Sequence, residues 1–300
     1  MTRRGAQRSG FLGTATAIFT VLSVTACGVG GIGSDPDVLR VMDYYNNQPD
    51  KAIYQDVLES CGRGIGMRID RETVPGGDFM AKVLQQSTSR TLPDVLMLDN
   101  PELSQIASSG TLTPLREFGI DATGYQERVV SASTYQGELY GLQPVTNTVA
   151  LFYNKDILAA AQVRPPTTWQ ELKNVAAQLT NRDHYGLAFS AINTYEGTLQ
   201  FLPLMWSAGG SESDLASPQV AEALQLWVDL VGQGSASRSV VNWTQADVND
   251  QFAAGNAAMQ INGPWQFPIL DATAGLNYGV VPIPAPTTGT AVISPLGGET

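Results

Sequence analysis

From Val38 onward, short apolar runs alternate with apolar residues at helical spacing. Val38–Met42 is a run of strand length. Asp50–Cys61 repeats Ile53, Val57, Leu58 and Cys61 at helical spacing, which predicts a helix and makes Cys61 a buried small hydrophobe. Met67–Val74 predicts a second strand, and Asp78 is placed to cap a helix carrying Phe79, Met80, Val83 and Leu84. Val95–Leu98 is apolar throughout, as suits a strand buried on both faces. Pro101–Ser109 follows as a helix closed by Gly110. Strand and helix in succession predict a parallel sheet covered by helices.

The pattern changes near residue 138. "ELYGLQP" and "TVALFYNK" are β-rich runs on either side of "VTN", and helices dominate beyond them. In "TTWQEL", Thr168 and Glu171 have capping-box spacing, with Trp169, Leu172, Val175, Ala176 and Leu179 on the buried face. "YGLAF" predicts a strand. Tyr195–Ala208 reads as an apolar helix ending at Gly209-Gly210. Ser217-Pro218 opens another, with Leu224, Trp227, Val228 and Val231 inward. Thr244–Ala254 predicts a helix, Ala257–Ile261 a strand, and "YGVVPIPAP" a last strand entering a Pro-rich loop. The segments sort into two α/β lobes, residues 38–146 and 147–290, with 291–300 as a strand crossing back.

Composition narrows the class. In 300 residues, 43% are hydrophobic, enough to bury the cores of two lobes. A formal charge of −11 repels phosphate backbones and speaks against nucleic-acid binding. Arg3, Arg4 and Arg8 precede an apolar stretch, Phe11–Ala26, too short for a membrane span of roughly 20 residues. That combination describes an export signal over residues 1–26, with an uncut membrane anchor as the alternative. The cysteines are Cys27 and Cys61, and "GVGGIGSDP" reads as a flexible tether within residues 27–37.

"MQINGPWQFPIL", Met259–Leu270, raises the question of site. A strand stops at Asn262-Gly263-Pro264 and Trp265 follows at the turn, where α/β folds open their crevices. Five stretches then carry a resemblance: "YGLQPVTNTVALFYNKDIL", "PPTTWQEL", "DQFAAGNAAMQINGPW", "YGVVPIPAP" and "PLGGE", in that order. Together they resemble the family 1 extracellular solute-binding proteins, carbohydrate-binding components of ABC importers related to the maltose-binding protein. The likeness runs from Val38 to Thr300. It implies a type II periplasmic-binding-protein-like fold, two α/β lobes joined by hinge segments with the ligand between them. It also implies a monomer without cofactor, catalytic residue or metal, delivering a carbohydrate to membrane permease subunits. "VTAC" resembles the lipobox of bacterial lipoproteins, which implies lipidation of Cys27 and a place on the outer face of the cell membrane. Relatives continue beyond the "GGE" segment, so a chain stopping at Thr300 is expected to be a fragment or a truncated product.

Sugars present hydroxyls at the ring edge and apolar C–H faces that stack on aromatics, so a sugar cleft needs both kinds of side chain. Trp265 matches the family position whose indole stacks on a sugar; the alternative is a core tryptophan, as Trp169 and Trp227 are read. Asp99 and Asn100 match a ligand-side loop of lobe one, with Asn100 also placed to cap a helix. Asn147 matches a ligand-contacting glutamate of the maltose-binding protein, so the role carries over without the charge. Asn46 and Asn47 match the first ligand-side loop or form a plain turn, and Tyr45 beside them is placed to stack. Glu196 and Asn193 match cleft residues after a lobe-two strand, though Glu196 also suits a helix start. Gly297 and Gly298 are small enough to bring backbone N–H groups to the ligand.

Two rivals are weighed against this reading. A secreted lipoprotein glycosidase would use paired carboxylates, but His184 is the sole histidine and no nucleophile elbow, metal spacing or Walker loop occurs. A glycerophosphodiester-binding protein of the same fold would want cations near the phosphate. The cleft loops carry Asp, Asn and Glu instead, which favours a neutral or cationic sugar.

Overall fold

Val38–Asp43 is the central strand, β1, of the first sheet, with β2 (Arg68–Thr73) and β3 (Val95–Leu96) parallel on either side. Val38 pairs with Arg68, Asp43 with Thr73 and Val41 with Val95. The structure, a computed structural model, describes residues 35–295 and 297–300; Cys27 and the predicted export signal lie outside the described residues. Residues 37–300 pack as one unit. Parallel neighbours need crossover connections, here α1 (Asp50–Ile65) and α2 (Gly76–Ser89). With α3 (Asn100–Ser108), α2 buries Phe79, Val83, Leu103 and Ile106 against Met42 and Leu98. Each such side chain contributes about 1.5–3 kcal/mol.

Three details of this half differ from the sequence reading. Cys61 is exposed, not buried, and Ile53 and Val57 also face outward. Two stripes recur every four residues along α1, and the helix docks through Tyr54, Leu58 and Gly62. At Gly62 the approach is so close that a Cβ would lie 2.7 Å from the Met67 carbonyl oxygen, so the glycine decides the face. Helix α2 begins at Gly76, after Pro75 in an extended conformation, which leaves Asp78 inside the first turn and not at the cap. The apolar run from Val95 pairs with β1 over only two residues, and Val95 is 46% exposed. Met97 still donates to the Met42 carbonyl at 3.0 Å, and Leu98 exchanges both backbone hydrogen bonds with Thr300, at 2.8 and 2.7 Å.

A short helix α4 (Glu127–Ala132) leads into a hairpin of β4 (Thr134–Tyr135) and β5 (Glu138–Leu139). Its turn residues Gln136 and Gly137 both have positive φ, as a primed two-residue turn requires. In the second sheet β6 (Ala150–Asn154) lies between β7 (Met259–Asn262) and β8 (Tyr278–Val281), antiparallel to both. Around it pack α5 (Lys155–Ala160), α6 (Trp169–Leu179), α7 (Tyr195–Ser207), α8 (Pro218–Gly232), α9 (Gln245–Ala253) and α10 (Phe267–Ala272). Their core includes Leu151, Leu172, Leu187, Phe189, Leu204, Leu230 and Ile261, with Trp169 and Trp227 buried as read.

Thr168 caps α6 by accepting from the Glu171 N–H at 3.2 Å, while the Glu171 carboxylate reaches Thr167 one residue further back. Thr244 and Asp247 close a full capping box on α9. In α8, Leu224 and Val228 point outward, and the buried face is Val220, Ala223, Leu226, Trp227 and Leu230. Apolar residues occur nearly all round α8, so spacing alone did not single out its inner stripe. The predicted strand over 185–189 is reduced to parallel bridges, Tyr185 with Ala257 and Ala188 with Gln260. Between the sheets, Gly297 bridges Asn147 and Glu299 bridges Asp99, so this segment touches both the 98–100 and the 147 backbone.

Candidate functional site

The chain leaving β1 and β7 and the starts of α2, α3, α7 and α9 converge on a cavity of about 490 Å³. That size lies within the range of small-molecule sites. Strand ends and helix N-termini meet in this way because successive elements of an α/β layer leave a crevice at the carboxyl ends of the strands.

One wall is aromatic. Phe79 stands edge-on to Tyr44, with centroids 5.3 Å apart and planes at 87°; Tyr44 adjoins Tyr45 at 5.4 Å, and Tyr45 stacks on Tyr54 at 4.4 Å. Behind it Arg71 forks onto Asp43 at 2.6 and 2.8 Å, and both side chains are almost fully buried. Asp43 also accepts from the Tyr45 N–H at 2.9 Å, and Arg71 donates to the Lys51 carbonyl at 2.7 Å. The ion pair therefore ties the Tyr45 loop to the start of α1. From the second sheet comes Trp265, half-buried, packed on the core and lining the cavity. Its ring folds back over Gly263, where a Cβ would lie 2.0 Å from the indole. The glycine before the turn is what lets the ring lie there.

The polar lining is acidic. Burial raises the Asp99 carboxyl to about 8, with the Glu102 charge adding to the effect, and raises Glu102 itself to about 7. Burial also pushes Asp50, Glu196 and Glu299 upward. Tyr44 donates to Asp99 Oδ1 at 2.9 Å, and Asn147 Nδ2 donates to Glu299 Oε1 at 3.2 Å. Glu196 Oε2 accepts from the Gln245 N–H at 2.6 Å, so it serves the N-terminus of α9 while α7 carries it. No arginine or lysine is among the described residues that line the cavity.

The structure brings Tyr45, Asn46, Asn47, Asp99, Asn147, Asn193, Glu196, Trp265, Gly297 and Gly298 to this one cavity. Asn100 does not line it. Asp99 holds the cap position of α3, and Asn100 starts the helix with its N–H on the Gly298 carbonyl at 3.1 Å. The expected division of labour also changes: Asn100 does not cap, and the Asp99 carboxylate bonds Tyr44 and no helix N–H. Gly297 gives its N–H to the Asn147 carbonyl at 2.8 Å, so that donor is not turned to a ligand. At Gly298 a Cβ would meet the Val145 carbonyl oxygen at 2.6 Å, which makes backbone approach the reason for glycine there. Trp206 donates to Glu212 at 3.0 Å and belongs to the surface of α7.

Sequence reasoning passed over Tyr44, Glu102, Tyr195, Gln245 and Glu299, all on the cavity wall. Tyr44 and Tyr195 adjoin residues that were singled out, and Glu299 closes the "PLGGE" stretch. Glu102 carried only the signal of an acid in the first turn of a helix.

A cleft lined by an aromatic wall and hydrogen-bonding side chains, set among the ends of two sheets, is the architecture of a solute-binding protein. The chain belongs to the bacterial extracellular solute-binding protein family, whose profile matches residues 57–300. A binding protein of Brucella abortus is 28% identical over 236 residues, covering 75% of this chain and 57% of that protein. A maltooligosaccharide ABC transporter solute-binding lipoprotein of Streptococcus pneumoniae is 23% identical, covering 100% of this chain and 73% of its own length. Among solved structures, an ABC transporter solute-binding protein of Thermotoga lettingae bound with α-D-tagatose superposes with a TM-score of 0.78. It is 24% identical and covers 88% of this chain and 71% of its own. The fold is the two-lobed type of these neighbours, and the family consists of binding proteins, not enzymes.

Proposed function

We propose that this chain is the substrate-binding component of an ABC importer and holds a carbohydrate between its two lobes. The observation that carries the reading is the cavity itself. Tyr44, Tyr45 and Trp265 offer ring faces for sugar C–H surfaces, and Asp99, Asn147 and Glu299 offer in-plane partners for hydroxyls. The Streptococcus relative is named for a maltooligosaccharide and the Thermotoga neighbour was solved with tagatose bound, both carbohydrates. The lobes are residues 38–146 and 147–290, with 291–300 as the returning hinge strand. A ligand that touches both lobes favours the closed state by its differential affinity. A Cβ at Gly76 would lie 3.1 Å from Glu196 Oε1, so the start of α2 and Glu196 lie close together across the cavity, which supports this reading.

The rest of the assembly follows from this reading. Residues 1–26 are the export signal, Cys27 is lipidated, residues 27–37 tether a monomer to the outer face of the membrane, and permease subunits receive the ligand. The relative named as a lipoprotein supports the anchor. A glycerophosphodiester is disfavoured because the described residues of the cavity lining include no cation to meet a phosphate. Calorimetric titration with sugars and glycerophosphodiesters tests the reading. Saturable binding of a carbohydrate, weakened by about 1–3 kcal/mol in Trp265→Ala, is the expected result. Unchanged affinity in a folded Trp265→Ala protein removes the tryptophan from the site. Binding of glycerophosphodiesters alone removes the carbohydrate.

A further inference from the structure

The arrangement of charge inside the cleft bears on what the carbohydrate must carry, and the argument rests on the carbohydrate reading above. Leu98 and Thr300 exchange both backbone hydrogen bonds, so they form a hydrogen-bonded antiparallel pair. The next pair along, Asp99 and Glu299, is bridged directly. It is of the non-hydrogen-bonded kind, in which opposed side chains come closest. Opposed Cβ atoms in such pairs are about 4.5–5.5 Å apart, and like charges there are destabilising. Two carboxylates thus face each other on the cavity wall.

Their hydrogen bonds leave one acceptor over. Tyr44 serves Asp99 Oδ1 and Asn147 serves Glu299 Oε1. Glu299 Oε2 is buried and makes no hydrogen bond of normal geometry, with the Tyr45 and Tyr44 hydroxyls its nearest donors, on a residue only 7% exposed that lines the cavity. A buried carboxylate oxygen without a donor is costly and calls for one.

Among the described residues that line the cavity, none supplies a counter-charge. The groups facing the pair are Tyr44 and Tyr45 after β1, Tyr54 on α1, Glu102 on α3, and Tyr195 and Glu196 on α7; each is neutral or acidic. Arg71, behind the tyrosines, is already matched by Asp43. Among the described residues no group of acids, histidines or cysteines is arranged to hold a metal ion. We infer that the bound carbohydrate carries a protonated amine, seated between Asp99 and Glu299. An ammonium has donors for the unpartnered oxygen and a charge that separates the two carboxylates. The raised positions of Asp99, about 8, and Glu102, about 7, agree: without a cation these acids retain protons near neutrality, and an incoming cation expels them.

The test is calorimetry on matched pairs at pH 7.5: glucose and glucosamine, galactose and galactosamine, mannose and mannosamine, and cello- and chitosan-oligosaccharides. Buffers of different ionisation enthalpy report protons released. For at least one pair the amino member binds about tenfold or more tightly, with net proton release. Glu299→Gln abolishes that preference and the accompanying proton release. The wild-type proton count needs no variant, so the test survives if Glu299→Gln does not fold. A neutral sugar that binds as well as its amino partner, without proton release, overturns the inference and leaves the carbohydrate reading standing. Failure of every sugar to bind overturns both.

Discussion

Gly263→Ala isolates the position of the Trp265 ring. The backbone at Gly263 is extended, with φ −120° and ψ 177°, so alanine brings no backbone strain. The added Cβ would lie 2.0 Å from Cζ3 and 2.1 Å from Cη2 of the indole. Carbon contacts settle near 3.5–4.0 Å, so the ring must retreat by roughly 1.5–2 Å. Overpacking of that kind costs about 1–3 kcal/mol of stability. Because a stacked ring displaced by that distance loses its partner, the variant also forfeits the about 1–3 kcal/mol of ligand stacking, roughly a 5- to 150-fold fall in affinity. Titration calorimetry with the ligand measures the second quantity and urea unfolding the first. Gly263→Ala and Trp265→Ala should weaken binding to a similar extent, and the double variant should add little to either. Wild-type affinity in a Gly263→Ala protein of unchanged stability would refute the placement of the ring against this glycine.

Further expectations follow from buried charge and from α1. Arg71→Met strips Asp43 of its fork in a site closed to water and should cost about 3–5 kcal/mol in urea unfolding; a loss under 1 kcal/mol would show that the pair does not hold the Tyr45 loop. Asp99 and Glu102 titrate at about 8 and about 7 in the folded chain, against about 4 when unfolded. Between those limits the folded state holds protons that the unfolded state has released, so stability is greatest at the acid end and falls as pH rises through 7 to 8. The ligand-free melting temperature should thus be lower at pH 8.5 than at pH 6, and Asp99→Asn should flatten the slope; a rise with pH contradicts the buried acids. Cys61, exposed on α1, should react with a thiol reagent in the native protein without denaturant. Protection until unfolding would mean that this face of α1 is covered.

The legible parts of the fold were those where one signal had one meaning. The strand over β1, the helix over Tyr195–Ser207 and the helix opening at Thr244 are strong local patterns, and the structure forms each within a residue or two. Where two faces competed, local pattern did not decide. Helix α1 turned on the backbone approach at Gly62, a contact with β2 that periodicity does not contain. Helix α8 carries apolar residues nearly all round, and its neighbours chose Leu226 and Leu230 over Leu224 and Val228. The site was legible as a set of strand-end and helix-start positions, because crevices open there whatever the sequence. Its electrostatics were not. Asp99 and Glu299 are 200 positions apart in the chain, and only the pairing of Leu98 with Thr300 sets them face to face. Likewise Glu196 reads as a residue of its own helix start, yet it bonds the start of α9.

The most direct test of the account is a thermal-shift measurement of the purified chain against neutral sugars, amino sugars and glycerophosphodiesters. A ligand at about a hundred times its Kd stabilises the folded state by about 2.7 kcal/mol. For a unit of this size that corresponds to a rise of roughly 5–10 °C. Such a rise is expected with a carbohydrate and none with a glycerophosphodiester. A cooperative melt that no carbohydrate moves, or that only a glycerophosphodiester moves, would contradict it.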